Sequence, residues 1–179
     1  MPSHASPDRV RIADEDMVIE YVRQHAKLAE GASCIPNDWA YPTSFHLLLA
    51  LGRRFTPAPG NDVVDMPERL CYSNAARYAR AHRDEGLVYA EGFALIPAAP
   101  DVSLPHAWVV RPDGTVLDPT WNDAHGRAYI GVPVRDPRLW PGSGSGLLED
   151  HQQVLPLLRN GFPRNALADL GRPLISDGA

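Results

Sequence analysis

A thiol, an imidazole and a carboxylate follow one another along the middle of this chain, at Cys71, His106 and Asp118. Together they are the parts of a nucleophilic acyl-transfer site. A cysteine attacks a carbonyl as thiolate, and a free thiol with a pKa of about 8.5 is mostly protonated near neutral pH. A helix N-terminus and a neighbouring imidazolium both favour the thiolate. In such a site His106 takes the thiol proton and later returns it to the leaving group. Asp118 holds the ring in the useful tautomer and stabilises its cation. The backbone amide of Cys71 is one candidate donor to the developing oxyanion. A second donor stays open among Tyr72, Asn74 and Asn61. Asp65 and Glu68 precede the cysteine and would work against its ionisation if they faced it, so they are expected to point to solvent.

The elements around these residues are legible. Residues 70–83 have a helix composition, rich in alanine and arginine. Two starts are open for this helix. Pro67 as its first residue would bury Cys71 a turn inside; a loop over 67–70 would put Cys71 in the first turn. After Gly86, residues 87–96 read as a strand, and 97–105 as a proline-rich bend. A hairpin follows, with arms 106–110 and 115–118 around Arg111-Pro112-Asp113-Gly114. Proline cannot supply the positive φ that a two-residue type I′ loop needs first. Pro112 suits a type I turn closed by a left-handed Gly114. Arg111 then pairs with Thr115, Val110 with Val116 and Trp108 with Asp118. Side chains alternate faces along a strand, so His106 and Asp118 fall on one face as diagonal neighbours, about 7–8 Å apart at the backbone. That span suits an imidazole hydrogen-bonded to a carboxylate.

The remaining chain reads as support. Residues 14–29 form an amphipathic helix with Asp14, Glu15 and Asp16 at its start and Gly31 past its end. Thr43 or Ser44 caps a second, apolar helix over 45–51 that Gly52 ends. Residues 55–67 are a loop, 128–134 a short strand, 137–146 a loop with a flexible Ser-Gly tether. A helix interrupted near Pro156 spans 147–160, and a last short helix is expected over 163–170. Helices first and sequential strands after imply an α+β fold with an antiparallel sheet, here as one domain over 1–179 with 1–12 and 171–179 loosely ordered.

Other residues near the three carry two readings each. Trp108 and Trp121 flank the His-Asp couple and are core packing or substrate-stacking walls. Glu91 is an edge-strand charge or binds a cationic group. Tyr72 and Tyr89 are packing or pocket lining. Cys34 precedes Ile35-Pro36 and lacks an activating helix, so it reads as a plain thiol.

The segments Cys71-Tyr72-Ser73-Asn74, Glu91-Gly92-Phe93-Ala94, His106-Ala107-Trp108 and Asp118-Pro119-Thr120-Trp121 occur in the order and element types of the transglutaminase-like superfamily, within the papain-like cysteine enzymes. About a third of the chain resembles that core. The chain departs from the pattern at Arg69-Leu70, where the family has glycine and small residues before the cysteine. The resemblance implies a helix carrying the cysteine packed on an antiparallel sheet, and a catalytic set of Cys71, His106 and Asp118. It does not choose among peptidases, amidases, deamidases, transglutaminases and inactive scaffolds.

Composition limits the alternatives. The formal charge is −5 and no basic run is present, which argues against a nucleic-acid surface. Lys27 is the only lysine, which argues against Schiff-base chemistry. No apolar run would span a bilayer, and two cysteines do not make a disulfide scaffold. The expectation is a cytoplasmic protein without metal or cofactor. Its expected activity is that of a thiol hydrolase of amide or peptide carbonyls acting through a thioester on Cys71. Transfer to an amine is the second possibility and a silent binding domain the third.

Overall fold

The computed structural model describes residues 6–31, 36, 38–58, 66–67, 69–96, 99–121, 126–142 and 144–174, with backbone alone at 100. Cys34, Asn61, Asp65 and Glu68 lie outside the described residues. Among those described, helices α1 (Pro7–Glu30), α2 (Ser44–Leu51), α3 (Cys71–Ala81) and α4 (His151–Asn160) pack with strands β1 (Arg53–Phe55), β2 (Val88–Ile96), β3 (Ala99–Val110), β4 (Val116–Leu117), β5 (Ala128–Val134) and β6 (Arg172–Pro173). The fold is α+β. The strands form one antiparallel sheet in the order β4-β3-β2-β5-β1-β6.

The sheet curls. Just past β1, Thr56 bridges Thr115 at the start of β4, and Val116 donates its amide to Thr56 at 2.8 Å. The inner face of the curl holds Phe55, Val88, Ala90, Ala94, Trp108, Val110, Val116 and Tyr129. Phe55 and Tyr129 meet Trp108 edge-on at 5.8 and 5.0 Å. The outer face carries Tyr89, Ala107, Val109, Val132 and Val134 and is covered by the apolar sides of α2, α3 and α4. Val18 and Ile19 of α1 cover the other end of the outer face at Leu95, Ala128 and Ile130. β5 is buried on both faces along its whole length.

Several sequence expectations are corrected. α1 begins at Pro7, capped by Ser6, whose side chain accepts from the Arg9 amide. Residues 7–12 are therefore helical, and Asp14, Glu15 and Asp16 lie in the helix interior. Asp14 and Glu15 are buried because arginines from the sheet reach them. Arg127 binds Asp14 through Nε at 2.9 Å, while Arg54 and Arg172 bind Glu15. The proline-rich stretch 99–105 is strand rather than bend. Because β4 pairs only with Val109 and Val110, β3 has an open edge at Pro105, where a strand proline is tolerated. Residues 147–149 form a turn and α4 starts later, capped by Asp150. No helix forms over 163–170; Leu167 bridges Val134 instead. The three-residue β1 and two-residue β6 are too short for periodicity to mark.

Among the described residues no helix is long and apolar enough to cross a membrane. Glu15 is fully buried between Arg11, Arg54 and Arg172. Glu15→Ala leaves those cations facing an apolar gap and should cost about 3 kcal/mol by urea denaturation. Asp169→Ala, which removes the exposed partner of Arg53, should leave the midpoint unchanged.

Candidate active site

The thiol is placed by the start of α3. Of the two possible starts, the helix takes the later one, and Cys71 is its first residue. Arg69 turns the chain into the helix with φ of 63°. That left-handed conformation suits glycine, so the residue that departs from the family-like pattern occupies the backbone state for which a glycine there would be used. Asn74 donates its backbone amide to Leu70 at 2.8 Å, the first bond of the helix. Leu70 supplies no side-chain cap, so the first-turn amides stand at the positive end of the helix without one.

Asn74 ties this start to the rest of the site. Its Nδ2 donates to the Pro67 carbonyl at 2.7 Å and to Thr120 Oγ1 at 3.0 Å. Both hydrogens of the amide are thus engaged, which makes Asn74 a strut between the segment before Cys71 and the one after Asp118, rather than an oxyanion donor. Met66 adds a backbone bond to Pro119 at 3.1 Å.

The imidazole and carboxylate are placed by the hairpin. Val109 pairs with Leu117 and Val110 with Val116. Arg111 accepts from Gly114 at 2.9 Å and donates to Thr115 at 2.9 Å, and Gly114 has φ of 82°. This is the register that the turn residues predict. His106 Nε2 and Asp118 Oδ2 are 2.7 Å apart, and both residues are buried. Oδ1 of Asp118 accepts the amides of Thr120 at 2.9 Å and Trp121 at 3.0 Å. Tyr129 donates its hydroxyl to Oδ2 at 2.9 Å and accepts the Gly126 amide at 2.8 Å.

With Nε2 committed to Asp118, Nδ1 is the ring nitrogen left for a proton exchange with sulfur. Cys71 lies near enough that its hydrogen bonding and its charge both raise the imidazole pKa. Burial pulls that pKa down, but Asp118 and Cys71 together outweigh it and lift His106 to about 9. Burial likewise pushes Asp118 up, and is overcome by His106 and the amides of Trp121 and Thr120, so the carboxyl lies below its usual range. An imidazolium-carboxylate pair is therefore the resting state at neutral pH. Trp121 lies flat on the imidazole, with ring centroids 3.6 Å apart and planes 6° off parallel. Cys71 is partly exposed.

The other predicted site residues fall in different places. Tyr72 is half-buried next to the thiol, and its hydroxyl interacts with Glu149. Trp108 is wholly buried inside the curl behind His106, 6.3 Å from it, and so is packing rather than a cleft wall. Glu91 is not an edge charge. It lies on β2, the third strand of the six-stranded order, flanked on both sides, and is buried. Tyr89 donates to its Oε2, and the amides of Leu147 and Leu148 donate to Oε2 and Oε1 at 2.7 and 2.8 Å. Tyr129, Gly126 and Thr120 were not legible as site residues. The strand over 128–134 was, but which of its side chains reaches Asp118 depends on its pairing with β2.

Among the described residues no group of three histidine, cysteine, aspartate or glutamate side chains is arranged to hold a metal ion. No protein-family model, no curated protein and no solved structure matches the chain, so its functional reading rests on its own residues.

Two substitutions test how the site is held. Asn74→Ala leaves the Pro67 carbonyl and the Thr120 hydroxyl without their shared donor, and should lower stability by about 2 kcal/mol in denaturant titrations. Arg69→Gly removes the left-handed strain and should raise stability by about 1 kcal/mol, against the usual sign for a glycine substitution.

Proposed function

We propose that this chain is a cysteine-dependent acyl-transfer enzyme of the transglutaminase-like kind, with a papain-like arrangement of helix and sheet, acting on an amide or peptide carbonyl. The observation that carries the reading is the His106–Asp118 pair at 2.7 Å, buried against a partly exposed cysteine in the first turn of a helix. His106 already carries its Nδ1 proton as imidazolium, so Cys71 acts as the thiolate partner of that cation and its sulfur attacks the carbonyl carbon. The oxyanion is accepted at the N-terminus of α3, where the Cys71 amide is a donor. The tetrahedral adduct collapses to a thioester as the C–N bond breaks and the imidazolium gives its proton to the leaving amine. His106 then takes a proton from water, the hydroxide equivalent attacks the thioester, and the acid and the thiolate are released beside the restored imidazolium. An amine in place of that water gives transfer instead of hydrolysis.

A silent binding domain is the competing reading, and the observation that favours it is the burial of the imidazole beneath Trp121. Labelling separates the two. In an enzyme, iodoacetamide should alkylate Cys71 at least about tenfold faster than Cys34 at pH 7, and His106→Ala should remove the difference. Equal rates at the two thiols would leave the silent domain. Intact mass spectrometry after incubation with amides, peptides and thioesters should then show an acyl adduct on Cys71 that Cys71→Ala lacks.

The pH dependence follows from His106. Its cation is needed to protonate the leaving amine, and it persists to about 9. Amide-dependent acylation should therefore fall as pH rises through about 9. Asp118→Asn removes the charge that raises the ring's pKa and should move this fall to lower pH. A profile still rising above pH 10 in the native protein would count against His106 as the acid.

A further inference from the structure

Glu91 has no role in the proton transfers above, yet it is a buried carboxyl that acts on Tyr72 and Tyr89, the two tyrosines that Cys71 also reaches. Its oxygens take two successive backbone amides, Leu147 at 2.7 Å and Leu148 at 2.8 Å, as well as the Tyr89 hydroxyl. The chain comes this close because residue 146 is glycine. A Cβ there would collide with Glu91 Oε1 and with the Tyr72 ring. The turn that Glu91 holds is thus pressed onto the side chain that follows the nucleophile. It also carries Glu149, which interacts with the Tyr72 hydroxyl. The charge of Cys71 is felt by both Tyr72 and Tyr89. Tyr72 of α3, Tyr89 and Glu91 of β2 and Glu149 of the turn therefore form one wall, whose two tyrosines feel the sulfur, and the wall is pinned at Glu91.

We propose that Glu91 is a positioning residue for the chemistry at Cys71: it pins the 146–149 turn against Tyr72 and so sets how wide an acyl group the sulfur can meet. The proposal rests on the acyl-transfer reading for its purpose, but the pin and the wall can be measured without a substrate. The titratable groups facing Glu91 are Tyr89 on β2, Tyr72 on α3 and Glu149 on the turn. Burial raises both tyrosines above their ordinary range, so they stay neutral while Glu91 titrates. Burial pushes Glu91 up, against the hydrogen bonds from Tyr89, Leu148 and Leu147, to about 7 from 4.5. Opening of the turn returns the carboxyl to water and to its ordinary pKa. The closed state therefore binds the proton more tightly, and opening becomes easier as pH rises from about 4.5 to about 7.

The test compares the native chain with Glu91→Gln and Gly146→Ala. Glutamine keeps the volume but presents an NH2 where one amide needs an acceptor. Gly146→Ala keeps the Glu91 carboxyl but forces the turn away from it and from the Tyr72 ring. Amide exchange at Leu147 and Leu148 is read by NMR and corrected for intrinsic rate. The ratio of Cys71 labelling by a bulky aryl maleimide to labelling by iodoacetamide is read alongside. At pH 5 Glu91→Gln should exchange about tenfold faster at one of the two amides. The native protein should lose protection between pH 4.5 and 7 and Glu91→Gln should not. The bulky-to-small ratio should rise several-fold in both variants. Unchanged exchange in Glu91→Gln overturns the pin. Faster exchange with an unchanged ratio in both variants overturns the positioning role. Neither readout requires His106, so failure of the acyl-transfer reading, seen as equal alkylation of Cys71 and Cys34, is a separate result.

Discussion

A carboxylate removed from water must be surrounded by donors, and much of the site follows from how Asp118 meets that requirement. A buried charge without partners costs several kcal/mol. Asp118 takes two amides from the segment that follows it, an imidazole from β3 and a phenol from β5. The amides bend 118–121 into a turn, which lays Trp121 on the imidazole. The Nε2 bond leaves Nδ1 for the thiol. One buried charge therefore sets the turn, the tautomer and the roof of the site together.

Two side chains from β3 and β5 can meet only because the strand between them is thin. His106 pairs with Gly92, and Gly92 pairs with Gly131. A Cβ at Gly92 would strike the Ile130 carbonyl, and one at Gly131 would strike Glu91 backbone and the Trp108 ring. The close approach of β2 and β5 tightens the curl of the sheet. It also clears the inner face, so that His106 and Tyr129 lie 6.4 Å apart across β2. The corner that holds Tyr129 is anchored from outside as well: Gly126 donates to its hydroxyl, and Arg127 is paired with Asp14 of α1. The long N-terminal helix thus supports the site indirectly, through a partly buried ion pair.

The cysteine is held by separate means. Asn74, whose amide spans Pro67 and Thr120, ties the start of α3 to the segment that follows Asp118, alongside the packing of the α3 alanines on Ala107 and Val109. On the other flank Glu91 holds the turn over Tyr72. Each strut is a buried polar group with its partners supplied, the condition under which such a group adds specificity instead of cost.

Local chemistry settled a good deal before any tertiary contact was considered. Pro112 and Gly114 allow one hairpin register, and that register put His106 and Asp118 on one face. Thr43 and Gly52 bounded α2, and residues 128–134 read as the strand they form. These signals are local because a turn type, a cap or an alternation depends on neighbouring residues alone. Where a residue's role depends on a partner far along the chain, it was not legible. Asp14 and Glu15 looked like dipole-favoured acids at a helix start, and arginines more than a hundred residues away made them buried. Glu91 looked like an edge charge because strand order is a property of the assembled sheet. Leu147 and Leu148 looked helical, and a carboxylate from β2 took their amides. Tyr129 carried no mark in the sequence, and Asn74 was marked as a candidate oxyanion donor where it is a strut, since what each does is decided by which strand or loop folds against it.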